Sequence, residues 1–242
     1  MKLKVLSINI HKGKSPLNLQ NTMHSIKECI RQSNPDIAFI QEFQEKYIHP
    51  NIKFPSNAPD AFSQDLFSHW HYGKNVDSHN GHHGNLILSR LPQRKGLNYD
   101  ISAYRFEKRG LLHSEVIFNK NGIEIPIHCF CVHLALLQNG RTRQLHAMLS
   151  HIEKLAHGQP TIVAGDFNDW YKKASQHMKR SGFIEVFEVL TGKVAKTFPS
   201  IYPILAMDRI YVRDLKIQSG SFLNDSPNIS DHLGIVAELE II

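Results

Sequence analysis

Asp166 and Asn168 stand two residues apart after an apolar run, in Thr161-Ile162-Val163-Ala164-Gly165-Asp166-Phe167-Asn168-Asp169. On an extended backbone the two side chains share a face. A carboxylate there can orient a water or take its proton, and a carboxamide can donate to a phosphate oxygen. A strand running into an Asx turn has the same pattern, so the stretch alone leaves both readings open. Similar residues stand beside other strand-like runs: Asn9, Glu42, His133, Asp208, Asp231 and His232. Singly, each is ordinary, as a turn residue, a solvated strand end, a core histidine or a surface ion pair. Jointly they fit hydrolysis of a phosphate ester. Mg²⁺ takes oxygen ligands from one or two carboxylates, water and substrate phosphate, and Glu42 is the expected main ligand with Asp231 as a second. Asp166 is expected to orient or deprotonate the attacking water. Asn9, His133 and Asn168 are expected to hydrogen-bond the non-bridging oxygens. His232, held by a carboxylate such as Asp208, can stabilise the pentacovalent charge or assist the leaving group. Arg109 or Arg141 can clamp a further phosphate oxygen bidentately.

These residues need a scaffold that brings strand ends together. Lys2 to Ile10 alternates as a strand, Leu19 to Gln32 has helical spacing stopped by Asn34-Pro35, and Asp36 to Ile40 reads as a short buried strand with Gln41-Glu42 at its end. Strand, helix and strand in succession predict an α/β layering. From Tyr47 to His83 the pattern fades. Short helices and a rim over the site are expected there, with most of Phe54, Phe62, Phe67, Trp70 and Tyr72 in the core. His79, His82 and His83 match no usual zinc spacing and have no cysteine beside them. Gly84 to Ser89 and Leu111 to Phe118 read as strands, and Asn119-Lys120-Asn121-Gly122 is a hairpin signal before the alternation of Ile123 to His133. Gln138 to His157 has one apolar helical face through Leu145, Leu149 and Ile152. A weak helix around Lys172 to Arg180, the segment Phe183 to Val189, an irregular stretch from Leu190 to Leu205, and strands at 206–212, 216–222 and 233–242 complete the chain. Layered α/β sheets form their sites beyond strand ends, where loops converge.

The totals narrow the class. A chain of 242 residues, 41% hydrophobic and 21% charged, has the length for a real core. With no linker or low-complexity stretch, one domain over residues 1–242 is expected. The formal net charge of +6 leans towards phosphate ligands. Three cysteines, Cys29, Cys129 and Cys131, form no disulfide framework and suit a reducing compartment as packed thiols. Lys2 and Lys4 precede strand-like alternation rather than a signal peptide, and no stretch reaches the length of a membrane span. A cytoplasmic location is expected.

The motifs, in order, resemble the endonuclease/exonuclease/phosphatase superfamily, whose relatives include DNase I. The likeness runs through Asn9 in SINIHKG, Glu42 in IQEF, Asn85 in HHGNLILSR, Arg109 in KRGLLHSEV, His133 in CVHLAL, Arg141 in GRTRQ, Asp166 and Asn168 in GDFND, Asp208 in MDRIYV, and Asp231-His232 in SDHLGIV. It spans essentially the whole chain. The resemblance implies a four-layer α-β-β-α sandwich of two stacked mixed sheets flanked by helices. It implies hydrolysis of a phosphodiester or phosphomonoester with Mg²⁺ or Mn²⁺. It also implies metal on Glu42, the nucleophilic water on Asp166, phosphate on Asn168, Asp208 orienting His232, and Asn9, Asn85, Arg109 and Arg141 on the substrate side. The Tyr-x-Pro-Asn motif of the AP endonucleases is absent, and His133 stands in its place. The missing disulfides depart from the secreted DNase I type. His133-Leu134 followed by GRTRQ is closer to bacterial members and to the sphingomyelinase and tyrosyl-DNA phosphodiesterase branches. Nucleic acid therefore ranks first as substrate. A phospholipid of the sphingomyelin type ranks second, with an inositol phosphate beside it. A binding module that lost catalysis ranks last. Nothing in the sequence calls for an obligate protein partner.

Overall fold

A computed structural model describes residues 2–13, 22–47, 58–78, 81–224 and 229–242. In these the strands are β1 (Lys2–Asn9), β2 (Ile37–Tyr47), β3 (His69–Ser78), β4 (Gly81–Ser89), β5 (Gln93–Asp100), β6 (Gly110–Lys120), β7 (Ile123–His133), β8 (Thr161–Asp166), β9 (Ile184–Glu185), β10 (Asp208–Arg213), β11 (Leu215–Phe222) and β12 (Ile235–Ile241). The helices are α1 (Met23–Ser33), α2 (Ala58–Ser63), α3 (Gln138–Ala156), α4 (Lys173–Arg180) and α5 (Val186–Thr191). The strands form two mixed six-stranded sheets, ordered β11-β12-β1-β2-β4-β3 and β5-β6-β7-β8-β10-β9. Each has one parallel pair, β1 with β2 and β7 with β8. A parallel pair needs a long crossover, and α1 and α3 lie in those two connections.

Three layers of apolar contact hold the sandwich. Between the sheets, Val5, Phe39 and Ile87 of the first meet Leu112, Cys129, Ile162 and Ile210 of the second. Outside the first sheet, Leu6, Ile8, Ile40 and Leu86 pack with Ile26 and Ile30 of α1 and Phe62 of α2. Outside the second, Phe130, Val132 and Val163 pack with Leu145, Met148 and Ile152 of α3 and Met178 of α4. The expected four layers are present. Both faces of the central strands are covered, which explains their near-continuous apolar runs. Among the described residues no helix is long and apolar enough to cross a membrane.

Local chemistry fixes several boundaries. Asn34 closes α1 in the left-handed region at φ 52° before Pro35. Asn121 and Gly122 both have positive φ at the turn joining β6 to β7, as a type I′ hairpin requires. Gly165 has φ 147°, and a Cβ there would lie 2.0 Å from the carbonyl oxygen of Val132. Only glycine lets β8 sit this close to β7 one residue before Asp166.

The structure corrects one expected strand end and fills in what the sequence pattern leaves blank. Glu42 does not end its strand: β2 runs on to Tyr47, and Glu42 sits at a register shift between Ile40 and Phe43 with φ 55°. A bulge of this kind re-aims a side chain without ending the pairing. β3 and β5 were not legible as strands, and β5 pairs with β6 while showing mostly exposed side chains. The described part of the segment from Tyr47 to His83 gives the short helix expected there, α2, and then β3, with Phe62 and Phe67 in the core and Trp70 and Tyr72 packed against it as expected; residues 58–78 do not form the expected rim, since none of them lines the cleft described below. The segment Phe183 to Val189, which the sequence pattern assigns to no element, is a two-residue strand followed by the short α5. Leu19, Phe54 and His79 lie outside the described residues.

Candidate active site

Register assembles the first part of the site. In the second sheet, His133 at the end of β7 pairs with Asp166 at the end of β8, and Asp166 pairs with Asp208 at the start of antiparallel β10. Three chemically capable side chains therefore occupy one row at one edge. Asn9, at the end of β1 in the other sheet, reaches across: its Nδ2 donates to Oδ2 of Asp166 at 3.1 Å. The backbone N–H of Asn168 donates to Oδ1 of Asp166 at 2.9 Å, and the Asn168 carboxamide donates to the carbonyl of Leu134. Asp166 is thus fixed from both sheets.

His232 completes the group. Its Nδ1 lies 2.8 Å from Oδ2 of Asp208, and its Nε2 lies 3.9 Å from Oδ2 of Asp166. Asp208 is fully buried, and Thr197 Oγ1 accepts from its backbone N–H. Burial alone would lower the pKa of His232, but Asp208 by charge and hydrogen bond, then Asp166 and Asp231, outweigh it and raise it to about 10. His232 is an imidazolium at neutral pH. His133 is the opposite case. Burial, opposed by Asp166, pushes its pKa down to about 3, so the ring is neutral. Its Nε2 is 3.5 Å from Asp166 and its Nδ1 is 3.9 Å from Glu42.

These residues line a cleft of about 370 Å³, with Asn9, Glu42, Arg109, His133, Asp166, Asn168 and His232 on its walls. The Glu42 carboxylate accepts no hydrogen bond among the described residues, and its neighbour His133 is beyond hydrogen-bond reach. A mostly buried carboxylate left open towards a polar cleft is a suitable donor for a hard divalent cation. Asp166, Asp208 and His232 also place ligand-type atoms within 4.8 Å of one another. Arg109 donates to Glu107 at 3.2 Å, while its Nε has no partner.

The structure does not bring three expected residues to the cleft. Arg141 is buried, and its guanidinium donates to the carbonyls of Ala135 and Leu136 and to Gln138, which holds the loop after β7 in place. Asn85 donates from β4 to the carbonyls of Gly110 and Cys131, pinning the two sheets together below the site. Asp231 faces His11 at 3.5 Å. Conversely, Lys12, His83, Leu136, Phe198 and Met207 line the cleft without having been expected there. Lys12 and His83 were visible only as neighbours of the Asn9 and Asn85 motifs. Ser230 also went unread: its Oγ donates to the carbonyl of Asn9 at 2.6 Å and accepts from the N–H of His232, coupling β1 to the last loop.

Two other features do not make sites. A larger cavity, about 490 Å³, lies where α3 ends near Phe183 and Arg213. Arg213 there is taken up by Glu153 and by the carbonyl of Ala156, and Glu153 also pairs with His157. Cys129 and Cys131 are fully buried among apolar neighbours, and burial raises both thiols, Cys131 to about 12. They are protonated packing groups. His82 lies beside Glu45 at 3.3 Å.

Comparison with known proteins bears on the family and the fold. The chain is 36% identical over 245 residues to the uncharacterized protein YbhP of Escherichia coli strain K12, covering 98% of this chain and 96% of that one. An endonuclease/exonuclease/phosphatase structure from Beutenbergia cavernae superposes with a TM-score of 0.82 at 18% identity, covering 99% of this chain and 72% of that one. The structure of D. rerio TDP2 complexed with single strand DNA product superposes at 0.68 with 20% identity, covering 99% of both chains. At such identities the likeness concerns the fold. A family model for the Endonuclease/Exonuclease/phosphatase family matches residues 6–232. The chain belongs to the endonuclease/exonuclease/phosphatase family, whose members are hydrolases of phosphate esters.

Proposed function

We propose that this chain is a Mg²⁺- or Mn²⁺-dependent phosphodiesterase working in the cleft between Glu42, Asp166 and His232. The observation that carries the reading is the buried Asp208 at 2.8 Å from His232, which keeps that ring cationic beside Asp166. Glu42 would hold the cation, which when bound polarises a phosphoryl oxygen and neutralises charge there. Asp166 has both oxygens oriented by Asn9 and Asn168, and its remaining lone pairs are free to align an attacking water. The His232 imidazolium faces the same space and stabilises the charge that grows on the phosphoryl group. His133 is neutral, so it acts through a hydrogen bond and adds no second positive charge. Arg109 supplies a fixed cation at the wall. Asn85 and Arg141 act on the scaffold rather than on substrate.

At the level of substrate, nucleic acid is supported by the net charge of +6 and by the single strand DNA product held by the similarly folded TDP2. A lipid head group is supported by a different observation, the aliphatic side chains at the mouth of the cleft. The three free thiols support a reducing compartment, and the shared packing of both sheets supports one domain over 1–242. The test is turnover of bis-p-nitrophenyl phosphate with and without Mg²⁺ or Mn²⁺. It is followed by plasmid DNA, single-stranded oligonucleotides, 5′-tyrosyl ends, sphingomyelin and inositol phosphates. Turnover that persists in a chelator, or none with any ester, would remove the reading.

A further inference from the structure

The mouth of the cleft is apolar in a way that phosphate chemistry does not require. Leu136 stands on its wall, and the adjoining Leu137 is 62% exposed. Phe106 is 83% exposed, on the segment that ends at the cleft residue Arg109, and its ring stacks on Tyr104 at 5.3 Å. Tyr171 follows the Asp166–Asp169 turn and is 69% exposed, with Trp170 beside it under the Arg141 guanidinium. Phe198, also on the cleft wall, packs on His232. Phe198 bridges to Leu205, and the turn between them carries Ile201, Tyr202 and Ile204, all exposed. These loops leave the same strand ends that carry the site.

The charges among them are one-sided. Along 101–109, 134–143, 169–173 and 193–207, the exposed ionic groups are Arg105, Lys108, Arg143, Lys172, Lys173, Lys193 and Lys196. The acidic side chains there are Glu107, paired with Arg109, and Asp169, buried beside Arg141. Lys108 also meets Asp100 at 3.5 Å, just outside the rim. Aliphatic loop tips ringed by an excess of cations describe a surface that rests on an anionic bilayer. The tips enter the acyl boundary, and the cations stay at the head groups. A nucleic acid interface is polar, and it uses flat rings for stacking. The rings of Phe106, Tyr171 and Tyr202 suit either surface, so the aliphatic tips decide: the side chains of Leu136, Leu137, Ile201 and Ile204 have neither hydrogen bonds nor a π face to offer a base.

We propose that this rim docks the enzyme on an anionic phospholipid surface and so presents lipid phosphodiesters to the cleft. The substrate half of this proposal rests on the phosphodiesterase reading; the docking half does not. The experiment is co-sedimentation of the full chain, in chelator so that no turnover occurs. The vesicles are phosphatidylcholine alone, or phosphatidylcholine with an equal part of phosphatidylserine. Binding is expected to the second only, to weaken with salt, and to fall about tenfold or more in Leu137→Ser/Ile201→Ser/Tyr202→Ser. A second variant elsewhere on the rim, Phe106→Ser/Tyr171→Ser, should weaken it too. Lys172→Glu/Lys173→Glu should do so while leaving every apolar tip in place. All three should keep the thermal midpoint and the turnover of bis-p-nitrophenyl phosphate, since none lies in the site. No sedimentation with anionic vesicles, or sedimentation indifferent to all three variants, overturns the proposal. So does a rim whose loss weakens single-stranded DNA binding, or dissolves a dimer in ultracentrifugation, while leaving vesicle binding unchanged. Failed ester turnover with intact vesicle binding would instead overturn the phosphodiesterase reading alone.

Discussion

Two buried clusters contain the same kinds of side chain and have opposite electrostatics. Asp166, Asp208 and His232 meet at the sheet edge; His113, Glu115 and His128 meet in the middle of β6 and β7, where Glu115 pairs in register with His128. Both trios hold their ligand-type atoms within 4.8 Å. In the first, a carboxylate lies 2.8 Å from the imidazole and His232 is raised to about 10. In the second, the imidazole meets another imidazole, His113 Nε2 to His128 Nδ1 at 3.0 Å, while Glu115 turns to Lys95 at 2.7 Å. Burial then dominates, aided by His128 and Lys95 against Glu115, and His113 falls to about 4. Proximity of ligand-type residues does not make a catalytic group. The partner that takes the carboxylate does, together with a cleft for substrate.

The largest effect should come from the open carboxylate of the first region. Glu42→Gln should cut turnover by about 10³-fold and raise the Mg²⁺ concentration needed for half activity, because a cation ligand is lost while the fold stays. An unchanged Mg²⁺ dependence in that variant would take Glu42 out of the role.

Two arginines near the same edge should separate next. Arg109→Ala should lower activity by about 10- to 100-fold, as for loss of a charged substrate contact, with an unchanged thermal midpoint. Arg141→Ala removes the donors that hold Ala135 and Leu136 and leaves buried Asp169 without its cation. It should therefore lower the midpoint, by about 3 kcal/mol of stability. Calorimetry beside kinetics reads both, and the same midpoint in the two variants would erase the distinction.

The smallest effect is in the second region and concerns pH. The folded pKa of His113 lies below its unfolded value of 6.5, so only the unfolded chain gains protons there as pH falls from 6.5 towards 4. Its stabilising contribution is present above pH 6.5 and is lost on the acid side. His232, with its folded pKa raised to about 10, contributes fully below 6.5 and loses that contribution as pH rises through 10. In metal-free protein, His113→Phe should flatten the acid limb of midpoint against pH and leave the alkaline limb alone, and His232→Asn should do the reverse. Changes on the same limb would contradict the comparison.

The first region was far more legible in the sequence than its surroundings. Asp166, Asn168, Asp208 and His232 stood at the ends of apolar runs, and the order of their motifs carried the fold. Periodicity could not show that β2 continues past Glu42, because a bulge resets the alternation between Ile40 and Phe43. It could not show β5, whose side chains are mostly exposed and polar. Residue type could not separate Arg109 from Arg141, since the difference lies in whether main-chain carbonyls already occupy the guanidinium. The apolar mouth was invisible because Phe106, Leu137, Tyr171 and Tyr202 come from separate loops with no common period, and they gather only when the strand ends do.

The most direct measurement is a double-mutant cycle on turnover of bis-p-nitrophenyl phosphate at saturating Mg²⁺, with His232→Ala, Asp208→Asn and the pair. Each single variant should lose about 10²-fold or more, since either change removes the cationic ring from the phosphoryl group. Because Asp208 acts through His232, the double variant should be hardly worse than the worse single one. Losses that multiply in full would mean that the two residues work independently, and the dyad would have to be abandoned.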